Sequence, residues 1–156
     1  MVTDAPWYDE VPVPRLMREA RGAYGDAVRR ALAEGECDDV PRNGAFVLAN
    51  LDPDPEPSFS PQADTVVALR LSKQAASQLI DTLVLRGYLE RRSDPDDRRR
   101  MGVRLTERGR AAAAAIQAAV ASVDATLEQR ITAEELRGLR AGLAALAEIR
   151  DEESSD

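Results

Sequence analysis

Seven consecutive residues, Asp94-Pro95-Asp96-Asp97-Arg98-Arg99-Arg100, set three arginines beside three aspartates. A carboxylate can hold a guanidinium by paired hydrogen bonds and aim it. An arginine held out on a protruding loop suits the narrow, strongly negative minor groove of DNA. Some twenty residues earlier, Ser72, Lys73, Gln74, Ser77 and Gln78 fall on one face of a predicted helix. Gln pairs bidentately with adenine and Lys donates to guanine acceptors, so this face could read base edges. Covalent and metal chemistry are poorly provided for. The chain has no His and one Cys, Cys37, which excludes histidine triads, the usual zinc sites and an intrachain disulfide. No nucleophile–base pairing or phosphate-binding loop is visible either. Neither an enzyme nor a bound cofactor is expected.

Charge decides whether these residues can meet a polyanion. The 156 residues carry a formal charge of −7, which on its face argues against nucleic acid. Residues 70–110, however, hold 11 basic against 6 acidic residues, a surplus of +5. The remaining chain, with 10 basic and 22 acidic residues, carries −12. A chain polarised in this way presents one cationic face. No apolar run approaches the roughly 20 residues that span a bilayer. The N-terminus has neither the basic start nor the apolar stretch of a secretory signal, so a cytoplasmic protein without membrane contact is expected.

The elements that must position these residues follow from periodicity and caps. Residues 1–12 are an irregular, Pro-rich arm. Leu16, Ala20, Ala23, Tyr24, Ala27 and Ala31 fall at helical spacing between Pro14 and Glu34, with Gly35 as the stop. A short helix over residues 42–51 follows Pro41. Asp52 to Ser58, with prolines at alternate positions, reads as an extended loop. Ser60-Pro61 reads as an N-cap with proline at the first helical position, opening a helix to Leu69. Ser72 caps the next helix, whose stripe of Ala76, Leu79, Ile80, Leu83 and Val84 turns inward; Gly87 ends it in the left-handed conformation. Residues 88–93 and 101–105 read as two strands joined by the Asp94–Asp97 turn. Thr106 caps a long helix with Ile116, Val120, Val123 and Leu127 on one stripe. Thr132 and Glu135 form a capping box before a last helix carrying Leu136, Leu139, Leu143, Leu146 and Ile149. The acidic residues 151–156 are expected to be disordered.

Two helices across a tight turn followed by a hairpin describe a winged helix-turn-helix. The fold class expected is mainly α with a small β-hairpin wing, a DNA-binding lobe over 41–110 and a helical dimerisation region over 13–36 and 111–150.

Gly87-Tyr88-Leu89-Glu90-Arg91-Arg92, Asp94-Pro95-Asp96-Asp97-Arg98-Arg99 and Leu105-Thr106-Glu107-Arg108-Gly109 together resemble the MarR family of bacterial regulators. Three linked motifs in order carry the resemblance, over about a quarter of the chain. It implies a homodimeric transcriptional regulator, most often a repressor, on a palindromic double-stranded DNA operator, often released by a small-molecule effector. Carried onto this chain, Arg99 is the minor-groove finger and Asp97 its positioner, flanked by Arg98 and Arg100. Ser72, Lys73, Gln74, Ser77 and Gln78 take the positions facing bases and phosphates. The chain departs from the family at Thr65-Val66, where Leu-Ala is usual, and at Arg70, where the turn usually has Gly. The family invites two sensor ideas. Trp7, Tyr8 and Tyr24 either line an effector pocket or pack the dimer interface. Cys37 lies among acids that disfavour a thiolate. The competing reading of the whole is a winged-helix module that docks an acidic protein through its basic wing.

Overall fold

A computed structural model describes residues 6–51, 60–61, 72–93 and 101–153. The elements in chain order are α1 (Val13–Glu34), α2 (Gly44–Asn50), β1 (Ser60–Pro61), α3 (Lys73–Leu85), β2 (Leu89–Ser93), β3 (Met101–Leu105), α4 (Glu107–Glu128) and α5 (Ala133–Glu153). Two compact units divide the chain, Met1–Val120 and Ala121–Asp156. None of the described helices is long and apolar enough to cross a membrane.

The first unit closes around one core. Val47 and Leu48 of α2, Ile80 and Leu83 of α3, Tyr88, Leu89 of β2, Val103 and Leu105 of β3, and Ala112 and Ile116 of α4 are buried in one cluster. Alternation puts Leu89 opposite Leu105 across the antiparallel β2–β3 pair, so both bury on the same side. Gly44 lets α2 approach α3 closely, since a Cβ there would lie 3.0 Å from Leu83 Cδ2.

The sheet differs from the two-stranded wing expected. Ser60 and Pro61 do not open a helix; they pair with Val103 and Gly102 as β1, making a three-stranded sheet in the order β1-β3-β2. Ser-Pro suits a helix start and an extended edge equally, because proline lacks the N–H that either an interior helix position or a central strand needs. The open edge of β3 supplied the partner that local sequence does not reveal. The remainder of that expected helix, residues 62–69, lies outside the described residues, as does the proline loop 52–58.

Two helix ends use the same device. After α3, the Gly87 N–H donates to the Val84 carbonyl at 3.0 Å and the Tyr88 N–H to the Leu83 carbonyl at 2.9 Å, with Gly87 left-handed at φ 75°. After α1, the Glu36 N–H donates to Ala33 at 3.2 Å and the Cys37 N–H to Leu32 at 2.7 Å. Here the left-handed residue is Glu36, at φ 55°, while Gly35 sits one position early at φ −88°. The stop therefore falls where expected, but the strained residue is not the glycine. A left-handed L-residue costs about 1–2 kcal/mol, of which a glycine would return roughly 0.5–1 kcal/mol as extra unfolded-state entropy. Glu36→Gly is accordingly expected to stabilise the protein by about 0.5–1 kcal/mol. Thermal denaturation should show a midpoint about 2–3 °C higher; a lower midpoint would contradict the cap geometry.

The caps of the last two helices follow the sequence. Thr106 Oγ1 accepts from the Gly109 N–H at 3.0 Å, and Thr132 and Glu135 exchange bonds, Thr132 N–H to Glu135 Oε2 at 2.7 Å and Glu135 N–H to Thr132 Oγ1 at 3.2 Å. The backbone and hydroxyl of Thr132 hold the Glu135 carboxyl below the usual carboxylate range. One boundary moves: α5 continues through Glu153, where disorder from residue 151 was expected. No Gly or Pro follows Gly142 before that point, and Glu is a good helix former.

Candidate nucleic-acid interface

The polar residues expected on the outer side of α3 lie there in the structure. Ser72 is the N-cap, its Oγ accepting from the Ala75 N–H at 3.2 Å. Ala76, Ile80 and Leu83 are buried, with Leu79 and Val84 half-buried against the core. The opposite side leaves Lys73, Gln74 and Gln78 exposed and Ser77 half-buried. Four polar side chains on two successive turns, with a single charge among them, thus face away from the core at the N-terminal half of the helix.

The same face continues to the exposed Asp81. Its carboxylate pairs with Arg91 on β2. On the sheet's other side, register sets Glu90 opposite Arg104. Glu90 Oε1 accepts from Arg92 Nη2 at 3.0 Å and from Arg104 Nε at 2.9 Å. Arg92 first, and Arg104 with it, hold the Glu90 carboxyl below its ordinary pKa. The arginines of the wing strands are therefore fixed by acids rather than spread as loose charge. Strand alternation alone would have put Glu90 and Arg92 on one face; which residue of the return strand joins them depends on the length of the turn.

At the base of the wing, Tyr88 organises the junction. Its carbonyl accepts from the Thr106 N–H at 3.0 Å, and Thr106 Oγ1 donates to the Gly87 carbonyl at 2.6 Å. Gly109 stands against the same carbonyl, for a Cβ at that position would lie 3.0 Å from the Tyr88 carbonyl carbon and far inside contact with its oxygen. The Tyr88 hydroxyl donates to Asp39 Oδ1. That bond, with Arg108 beside it, lowers the Asp39 pKa, while burial and then the Asp39 carboxylate raise that of the Tyr88 hydroxyl.

The MarR family model matches residues 38–100, which contain α2, α3 and β2. This segment is similar to the MarR family. Solved structures extend the likeness in fold to most of the chain. The Staphylococcus aureus MepR–DNA complex has a TM-score of 0.73 at 22% identity, over 89% of this chain and 98% of that one. A MarR family transcription regulator has a TM-score of 0.72 at 22% identity, over 92% and 89%. A probable transcriptional regulator from Pseudomonas aeruginosa has 0.62 at 24%, over 87% and 97%. No curated protein matches the chain by sequence.

The other expected site residues divide. Asp97, Arg98, Arg99 and Arg100 lie outside the described residues. Trp7 and Tyr8 meet edge to face, with ring centroids 5.9 Å apart, and both are exposed, whereas Tyr24 is half-buried on α1. Cys37 is buried with its thiol donating to the Gly35 carbonyl at 3.2 Å. Among the described residues no group of His, Cys, Asp or Glu could hold a metal ion.

Proposed function

We propose that this chain is a MarR-family DNA-binding transcriptional regulator, a cytoplasmic homodimer that represses by occupying a palindromic operator. The observation that carries the reading is the outer face of α3. Lys73, Gln74, Ser77 and Gln78 occupy its first turns, where a helix laid in the major groove brings side chains to base edges. Gln74 and Gln78 supply paired donor and acceptor groups for adenine, and Lys73 a donor for guanine. Ser72 contacts a phosphate beside its cap. Asp97 aims Arg99 into the adjacent minor groove, and Arg98 and Arg100 add phosphate contacts. The −12 on the remaining residues repels DNA elsewhere and confines attraction to this face.

The homodimer rests on apolar side chains left uncovered in the single chain. Leu139, Leu143, Leu146 and Ile149 recur on one stripe of α5 and are exposed, as are Val13 and Met17 of α1. A repeated stripe of this kind on a helix needs a partner surface. The segments 13–36 and 111–150 supply it, and lobe 41–110 of each copy then reads one half-site, roughly 34 Å from the other. Trp7, Tyr8 and Tyr24 belong to this region as contacts for a small effector that releases DNA.

A footprint of the DNA upstream of the protein's own gene tests the proposal. The purified protein is expected to protect an inverted repeat, and affinity to fall about a thousand-fold or more between 50 and 200 mM salt as counterions are released. Failure to protect any site at low salt would overturn the reading. Binding to an acidic protein instead would favour the docking module.

A further inference from the structure

The connection between α1 and α2 makes contacts that DNA reading does not require. Asp39 Oδ1 accepts from the Tyr88 hydroxyl and, at 2.9 Å, from Arg108 Nη2. The Asp39 carbonyl accepts from Arg86, the residue that caps the C-terminal end of α3. Arg108 closes the figure. Its Nη1 donates to the Arg86 carbonyl at 2.6 Å, and its guanidinium lies 4.3 Å from the centre of the Tyr88 ring. Three segments 22 to 69 residues apart in sequence thus converge on the last turn of α3.

We propose that Asp39 is a positioning residue for DNA binding, one that fastens the connection after α1 to the C-terminal end of the reading helix and so sets the angle at which that helix is presented. The inference rests on the DNA-binding reading of α3. Asp39 does not touch DNA in this scheme; it acts through Arg86 and Arg108. The Asp39 and Arg108 side chains are each 42% exposed, and a pair so open to solvent contributes little to stability. What it supplies is direction, because Asp39 binds at both its carboxylate and its carbonyl. The 13 residues of α3 make a lever about 20 Å long, on which a tilt of about 5° at Arg86 displaces Lys73 and Gln74 by roughly 1.7 Å. That displacement exceeds what a hydrogen bond to a base edge tolerates. A carboxylate would also repel phosphate if it faced the DNA, so removing it there would strengthen binding. The positioning role gives the opposite sign.

The test compares the full-length parent with Asp39→Ala, Arg108→Ala and the double variant on the footprinted operator fragment. Each variant is expected to keep the parent's circular dichroism and to bind about 10-fold more weakly at every salt concentration, with an unchanged slope against log salt. The double variant should be no weaker than either single one. Hydrogen exchange in the free protein should accelerate at the amides of Arg86 and Tyr88 while β3 keeps its protection. Parent-level affinity in a folded Asp39→Ala sample, tighter binding, or unaltered exchange would each overturn the inference. Unfolding of Asp39→Ala would do so too, since Asp39 would then be a structural staple. A parent that protects no DNA would instead refute the DNA-binding reading, and the exchange measurement would still decide whether Asp39 holds α3.

Discussion

Gly109→Ala is expected to destabilise the winged lobe by about 3 kcal/mol or more, at the upper end of what overpacking costs. The added methyl would collide with the Tyr88 carbonyl, and neither side can withdraw. Tyr88 is fully buried, its N–H is bonded to the Leu83 carbonyl, and its own carbonyl accepts from Thr106. Moving α4 away would break the Thr106 bonds that cap it, at Gly109 N–H and at the Gly87 carbonyl. Denaturant titration followed by circular dichroism should show the loss as a lower midpoint. Gly138→Ala in α5, where a Cβ meets nothing within 4 Å, should match or exceed the parent, because alanine is the better helix former by about 1 kcal/mol. Equal midpoints for the parent and Gly109→Ala would disprove the close approach.

Arg99→Ala is expected to weaken operator binding about 10-fold or more, within the roughly 1–3 kcal/mol that loss of one well-placed groove contact costs. The comparison that gives this number meaning is Arg110→Ala. Both substitutions remove one positive charge from the same cationic stretch, but Arg110 Nη1 donates to the Leu105 carbonyl at 3.1 Å and is engaged in holding the end of β3. If the wing arginine acts by entering the minor groove, the two effects separate widely, and Asp97→Ala should reproduce part of the Arg99 loss by releasing its aim. If the stretch attracts DNA only through summed charge, both variants weaken binding alike and shift the salt slope equally. Equal losses would refute the finger role for Arg99.

How far the sequence carried these conclusions varies by element. The interior stripe of α3 was legible because a 3.6-residue period is a local property, and Ala76, Ile80 and Leu83 are buried as that period requires. The Thr106 and Thr132–Glu135 caps were legible for the same reason, since each bond spans three residues. Ser60-Pro61 was misread because its partner is β3, more than forty residues away. Asp39 was unreadable as anything more than one acid among several, because Tyr88, Arg86 and Arg108 reach it only after the chain has closed. The Gly87-Tyr88 and Thr106-x-x-Gly109 motifs lay between these extremes. Their spacing was visible, but their reason, one carbonyl shared by two segments, was not.

The −7 total and its division into +5 and −12 were properties of the sequence alone, as were the types of the described elements other than β1 and the outward polar face of α3. Charge and period need only residue identity and order. Tertiary structure decided which acids neutralise which arginines. Asp81 takes Arg91, Glu90 takes Arg92 and Arg104, and Asp39 takes Arg108. Strand alternation already puts Glu90 and Arg92 on one face. The other pairings depend on turn length and helix packing, which bring side chains within a few ångströms, and no count of charges along the chain contains that distance.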